Sequence, residues 1–279
     1  MIESSRSKTI RRTVTFFGVA VALFWSLAPI YWIIVTSLKT SREIYALPPT
    51  FIPKVFTLAN YRAAMDSEFP QYVLNSIQVA VGVTLISAIV GTLAAYPIAR
   101  MEFRGRALAA RAIVTAYLLP PSLLFIPLFI VLQRLGLIDS KVGLVLAYLT
   151  FTVPFCTWLL IGYFRTIPME LDEAAQIDGA NRFQTLLRVV LPIATPGLAV
   201  VALFAFTHAW NEFLYALVFV YSADTKTFTA GLSGLIMGDT FIWGQLMASS
   251  VIAILPIFII YVVAQRYIVE GLSAGSVKG

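Results

Sequence analysis

Few residues in this chain have the types and spacing that could do chemistry, and most of them lie in apolar company. His208 and Glu212 are four residues apart, so on a helix they share one face. A metal site would need more ligands than this pair, and His208 is the only histidine. The pair therefore has two readings: it lines a polar path, or it makes an interhelical hydrogen bond that fixes packing. Asn75 and Ser76 have two readings as well, contact with the polar groups of a solute or attachment of one helix to its neighbour. Tyr117, Tyr148, Trp210, Trp243 and Gln245 offer ring faces and amides that a polar solute could meet, although Trp and Tyr near helix ends also anchor at membrane interfaces. The lone Cys156 sits in an apolar run, so it reads as packing and supports no disulfide framework. A Gly-x-x-x-x-Gly-Lys-Ser/Thr loop is missing, so this polypeptide does not bind and hydrolyse ATP in the usual way.

The elements that must position these residues follow from composition. Of 279 residues, 59% are hydrophobic and 12% charged, with a mean hydropathy of +0.86. Soluble domains carry roughly a quarter charged residues, so lipid must supply the outer shell of an all-α polytopic membrane protein. The net charge of +6 then reads as topology signals and headgroup contacts, with no nucleic acid as partner. Six helices are expected, at about 13–38, 72–99, 112–133, 142–164, 195–221 and 243–265, in a single transmembrane domain covering 1–279. The first run lacks a small-residue cleavage site and is read as a retained span. Prolines at 29, 97, 120, 121, 127, 154, 196 and 256 should kink these spans. Arg6, Lys8, Arg11 and Arg12, then Arg100, Arg104, Arg106 and Arg111, then Arg165, Arg182 and Arg188, and finally Arg266 alternate with loops of balanced charge. That asymmetry places both termini and the loop 165–194 in the cytoplasm.

The polar stretch Glu173–Pro192 in that loop reads as two short helices. Pro168 suits a first helical position, and Glu170, Asp172 and Glu173 favour a helix N-terminus. Gly179 suits a C-terminal cap, and Asn181 with Gln184 has capping-box spacing for a second helix that runs through Phe183, Leu186, Leu187 and Val190 to Pro192.

Glu173-Ala174-Ala175, Gly179, Val189 and Leu191-Pro192 fall at the spacing of the EAA motif, and the chain resembles the permeases of ATP-binding-cassette (ABC) importers. Val189 stands where the family usually has Ile. Leu58-Ala59-Asn60-Tyr61 and Trp210-Asn211-Glu212-Phe213 are similar to the carbohydrate branch and, within it, to the maltose-type second permease. The resemblance implies a type I importer fold. It also implies a coupling helix in which Glu173, Ala174, Ala175 and Gly179 meet an ATPase, and it leaves Asp178 without a role. Expected partners are a second homologous permease, two cytoplasmic ATPase subunits holding ATP and magnesium, an extracytoplasmic sugar-binding protein and lipid. No cofactor or metal is expected on this chain, and it is not itself an enzyme. The multi-pass protein would sit in a prokaryotic cell membrane. Pathway candidates are Asn75, Tyr117, Tyr148, His208, Trp210, Asn211 and Glu212. Overall likeness suggests trehalose, with other oligosaccharides open. The competing readings are an ion-gradient-driven transporter, for which only Glu212 is placed, and an intramembrane enzyme, for which paired acids are missing.

Overall fold

The structure is a computed structural model that describes residues 5–237 and 240–276; the side chains of Arg6, Lys8 and Arg11, used above for orientation, lie outside the described residues. In chain order the helices are α1 (Ser5–Ser37), α2 (Ser41–Ile44), α3 (Ala59–Met65), α4 (Phe69–Arg100), α5 (Arg106–Leu118), α6 (Pro121–Arg134) and α7 (Lys141–Phe164). There follow α8 (Glu170–Ile177), α9 (Arg182–Thr185), a π-helical turn (Leu186–Val190), α10 (Leu191–Ile193), α11 (Thr195–Asn211), α12 (Leu214–Phe219) and α13 (Phe228–Ser233). A two-residue antiparallel pair, β1 (Ile236–Met237) with β2 (Thr240–Phe241), precedes α14 (Trp243–Ser276).

Among the described residues, α1, α4, α7 and α14 are each long and apolar enough to cross a bilayer. Two bent pairs, α5 with α6 at 96° and Arg182–Ile193 with α11 at 82°, bring the number of candidate spans to as many as six. The run expected as one helix at 112–133 is thus two. Leu119 precedes a proline, is held out of the helical region and adopts ψ 124. Pro121 then opens α6, where its missing N–H costs nothing. The fifth run, expected at 195–221, is also interrupted, because Glu212 is extended at φ −67, ψ 131 between α11 and α12.

Packing groups the chain into two compact units. In the first, residues 1–69 and 234–254, Asn60 Nδ2 donates to the Ser37 and Lys39 carbonyls at 2.9 and 2.8 Å, and the Tyr61 hydroxyl lies 2.8 Å from Ser37 Oγ. The two Asn60 bonds satisfy carbonyls at the end of α1 that have no helical partners. Lys39 is buried, sits 4.7 Å from the Trp32 ring centroid and donates to the Thr50 carbonyl. The Glu43 carboxylate is held below its ordinary value by the Lys54 N–H and by the Thr50 hydroxyl.

The second unit, residues 70–233 and 255–279, is built on α7, half of whose most apolar stretch is buried. Ser87 and Thr152 share a buried 2.8 Å hydroxyl bond between α4 and α7. Gly91 lets α4 close on α7, since a Cβ there would stand 3.3 Å from Cys156 Cβ. Around this contact Ala95, Tyr96, Leu160, Phe164, Leu186, Val190 and Val201 form one apolar cluster that reaches the helices after residue 170.

Candidate functional site

The chain between α7 and α11 folds as two short helices, each stopped or started by its own sequence. Glu170–Ile177 begins two residues after Pro168, so that proline lies just outside the helix instead of at its first position. The helix ends in a Schellman turn. Gly179 takes φ +85, its N–H donates to Gln176 O, and the Ala180 N–H donates to Ala175 O. Asn181 and Gln184 then form a reciprocal capping box, with both bonds 2.9 Å. After α9 the helix widens: the Leu191 N–H reaches back to Leu186 O, five residues away. Pro192 explains the widening, because it has no N–H for the carbonyl four residues before it. Normal spacing resumes where the Ala194 N–H meets Val190 O at 2.8 Å.

The two helices keep a large apolar surface outside the fold. Ile177 is 86% exposed and Phe183 59% exposed, while Leu187 is also uncovered. Glu173 and Ala174 are exposed beside them and Ala175 is half-buried. Asp172, one residue earlier, points the other way. It is buried and accepts from Arg100 at the end of α4: Nη2 donates to Oδ1 at 2.7 Å and Nε to Oδ2 at 3.2 Å. Arg100 also donates to the carbonyls of Ile167 (2.7 Å) and Pro168 (3.0 Å), and the Tyr96 hydroxyl adds a long 3.4 Å contact to Asp172. Sequence reasoning missed this pair. On sequence alone Asp172 is one of three acids favouring a helix N-terminus, and Arg100 is a topology charge. The signal available was a basic residue closing one span while an acid opened the loop after another.

A second feature is a cleft of about 600 Å³ beside α11, lined by Phe204, Thr207, His208, Asn211, Glu212 and Tyr261 among others. His208 and Glu212 do meet in one place, but not on one helical face, since α11 ends at Asn211. The Glu212 carboxylate turns toward the start of α12 and accepts the N–H groups of Tyr215 at 3.1 Å and Ala216 at 3.2 Å. Its oxygens thereby satisfy donors that the short helix leaves open. The His208 ring packs on Phe151 and Phe204, with centroids at 4.9 and 5.4 Å. Asn211 is exposed and ties its amide to Thr207 O at 2.8 Å. The Thr207 hydroxyl is buried without a partner among the described residues.

Other sequence candidates fall outside this cleft. Asn75 is fully buried and fully engaged: its amide nitrogen donates to Ala223 O and Lys226 O, and its oxygen accepts from Gln71 and Lys141. It braces a loop and has no valence left for a sugar. Ser76 does similar work, accepting the Phe228 N–H at 2.8 Å. Trp210 is 2% exposed between Phe206 and Phe228, which makes it core instead of wall. Tyr148 is buried beside Phe151 and Tyr215. Tyr117 stacks on Trp158 with planes 7° apart, away from the cleft. In the first unit Gln245 donates to Ala63 O at 3.2 Å, and Trp243 lines a smaller hollow with Trp32 and Lys39.

Near Asn75 the loop before α7 is clasped by Asp139, which takes φ 54. Its Oδ1 accepts the N–H groups of Tyr221 (2.9 Å) and Ser222 (3.1 Å) and the Thr225 hydroxyl. Burial works against its charge, but these bonds outweigh it and hold the carboxyl below the ordinary carboxylate value.

Known proteins resemble this chain along almost its whole length. The family described as binding-protein-dependent transport system inner membrane component matches residues 87–273. The inner membrane ABC transporter permease protein YcjP of Escherichia coli K12 is 36% identical, across 99% of this chain and 100% of its own. The trehalose transport system permease protein SugB of Mycobacterium tuberculosis is 33% identical, across 96% of this chain and 99% of its own. Among solved structures, a chain of a bacterial ABC transporter involved in the import of the acidic polysaccharide alginate shares the fold. The two superpose with a TM-score of 0.84, covering 96% of this chain and 100% of that one at 24% identity.

Proposed function

The chain belongs to the binding-protein-dependent transport system inner membrane component family, the permeases of ABC transporters, and from that premise we propose that it translocates a small carbohydrate. It is a multi-pass, non-catalytic membrane subunit, and ATP is hydrolysed in a separate subunit. Trehalose is the cargo we assign, with the 33% identity to SugB as support. The assembly would pair this chain with a second permease, two cytoplasmic ATPase subunits carrying ATP and magnesium, and an extracytoplasmic sugar-binding protein in a prokaryotic cell membrane.

The observation that carries the reading is the 170–193 helix pair. It leaves Ile177 and Phe183 in the open beside exposed Glu173, while Asp172 anchors it from beneath. Isolated apolar residues on a surface need no explanation, but an apolar knob rimmed by charge fits a partner's groove. Under this reading Glu173 is the charged contact to the ATPase, Ala174 and Ala175 permit close approach, and Gly179 sets the turn. Both termini then lie on the same side as this pair. His208, Asn211 and Glu212 face the cargo's path, and the cleft's size suits a small ligand. The ion-gradient alternative gains nothing from Glu212, whose carboxylate is already committed to the start of α12.

The test is co-expression of this chain with the second permease, the ATPase and the binding protein. In detergent, Glu173→Ala should retain the ATPase at least about tenfold less well, while the chain itself stays in the membrane. Labelled trehalose uptake into vesicles should fall in step. Unaltered retention and uptake would sink the coupling role, and vesicles that accumulate another sugar but no trehalose would overturn the cargo.

A further inference from the structure

We propose that Arg100 and Asp172 form a rigid clasp that makes the end of α4 move as one body with Glu170–Ile177. Any displacement of that helix is then delivered to α4 directly. The inference rests on the coupling role argued above and adds a route that chain connectivity does not supply. Covalently, the helix pair is continuous only with α7 before it and α11 after it. Arg100 lies 72 residues before Asp172 in sequence and belongs to another span.

Three features make the contact a clasp instead of a surface ion pair. Its side chains are 4% and 2% exposed, so water and salt do not loosen it. The guanidinium is used as a fork: Nε and Nη2 take the two carboxylate oxygens, while Nη1 and Nη2 take Ile167 O and Pro168 O. Those carbonyls belong to the turn between α7 and α8, so one side chain holds both the helix and the strand of chain leading into it. The α4 end is itself made stiff. Arg106 donates to Ile98 O at 2.8 Å and Ala99 O at 3.2 Å, and Tyr96, Ile98 and Ala99 pack in the cluster with Phe164, Ile167, Leu186 and Val190. A lysine at position 100 would keep the charge but lacks the three separate nitrogens that the fork uses to reach both carboxylate oxygens and two carbonyls. These are positioning residues: neither touches cargo or nucleotide.

The assembled transporter, reconstituted in lipid, tests this by distance. Spin labels at Glu102→Cys and Asp178→Cys, both exposed sites, report the separation between the α4 end and the helix pair. Cys156→Ser removes the one native thiol. The separation should be the same without nucleotide and with ATP plus vanadate, although both labels move relative to the second permease. In Asp172→Asn and Arg100→Lys the distribution should broaden, and trehalose taken up per ATP hydrolysed should fall roughly fivefold or more while the ATPase stays bound. A separation that shifts between the two states in the otherwise native chain overturns the clasp, and it does so even if both variants fail to fold. Variants that broaden the distribution but keep the native uptake ratio also overturn it. An ATPase that does not bind the native chain would refute the coupling role itself, which is a different result.

Discussion

Gly179 is a position where one methyl group separates backbone strain from crowding. Its φ of +85 is what the Schellman turn requires, yet a Cβ built there would meet nothing within 4 Å. Gly179→Ala therefore adds no clash, and its whole effect is the left-handed backbone cost of about 1–2 kcal/mol. That cost makes the turn open about 5–30-fold more often. Asparagine tolerates the same region better, so Gly179→Asn should recover roughly half of the loss in free energy. Amide hydrogen exchange over residues 175–185 in lipid measures both, and protection of the Ala180 amide should fall most because its bond to Ala175 O closes the turn. Retention of the ATPase should follow the same order, glycine above asparagine above alanine. Equal losses for the two variants would refute the reasoning, as would a loss beyond about a hundredfold, because neither can come from φ alone.

Asp139→Ala should free the chain at Tyr221 and Ser222 and cost about 1–3 kcal/mol, whereas Asp139→Asn keeps an acceptor and tolerates φ 54, so thermal unfolding should register it only weakly. The folded carboxyl titrates below its ordinary value, so its contribution is complete above the ordinary carboxylate value and is lost as pH falls through the lower folded one. Exchange protection at Tyr221 and Ser222, corrected for intrinsic rates, should stay flat from neutral pH down to about 4 and drop only below that. Asn75→Ala strands two carbonyls and should cut the amount of folded transporter with KM unchanged, while Asn211→Ala should change KM or the uptake rate with the amount unchanged. Quantitative blotting beside uptake kinetics distinguishes the two; the reverse pattern would place Asn75 in the path.

The helices were legible because apolar runs and capping chemistry are local. Gly179, Asn181 and Gln184 carry their turn and cap in their own identities, and the structure forms both. Pro120 and Pro121 announced a disruption, but their neighbours do not encode its angle of 96°. The break at Glu212 has no proline in it. It exists because a carboxylate finds the donors of the next helix, and a face-counting argument cannot see a side chain that ends its own helix. Among Glu170, Asp172 and Glu173 the sequence offers three equivalent acids. Only the arrival of Arg100 from 72 positions away turns Asp172 inward. Asn75 failed as a pathway candidate for the same reason, since Ala223, Lys226 and Lys141 lie far along the chain.

The π-helical turn at Leu186–Val190 has a consequence for which way Phe183 faces. A widened turn carries one residue more than an α-helical turn would, so it sets the angular phase of everything on its far side. Were the same residues wound at ordinary α-helical width, Arg182 and Phe183 would stand about 100° further round the axis leading to α11. The knob would then face a different quadrant even though every helix kept its length. Pro192 thus acts as an index mark: by denying one hydrogen bond, it fixes the azimuth at which this end of the molecule presents itself to a partner.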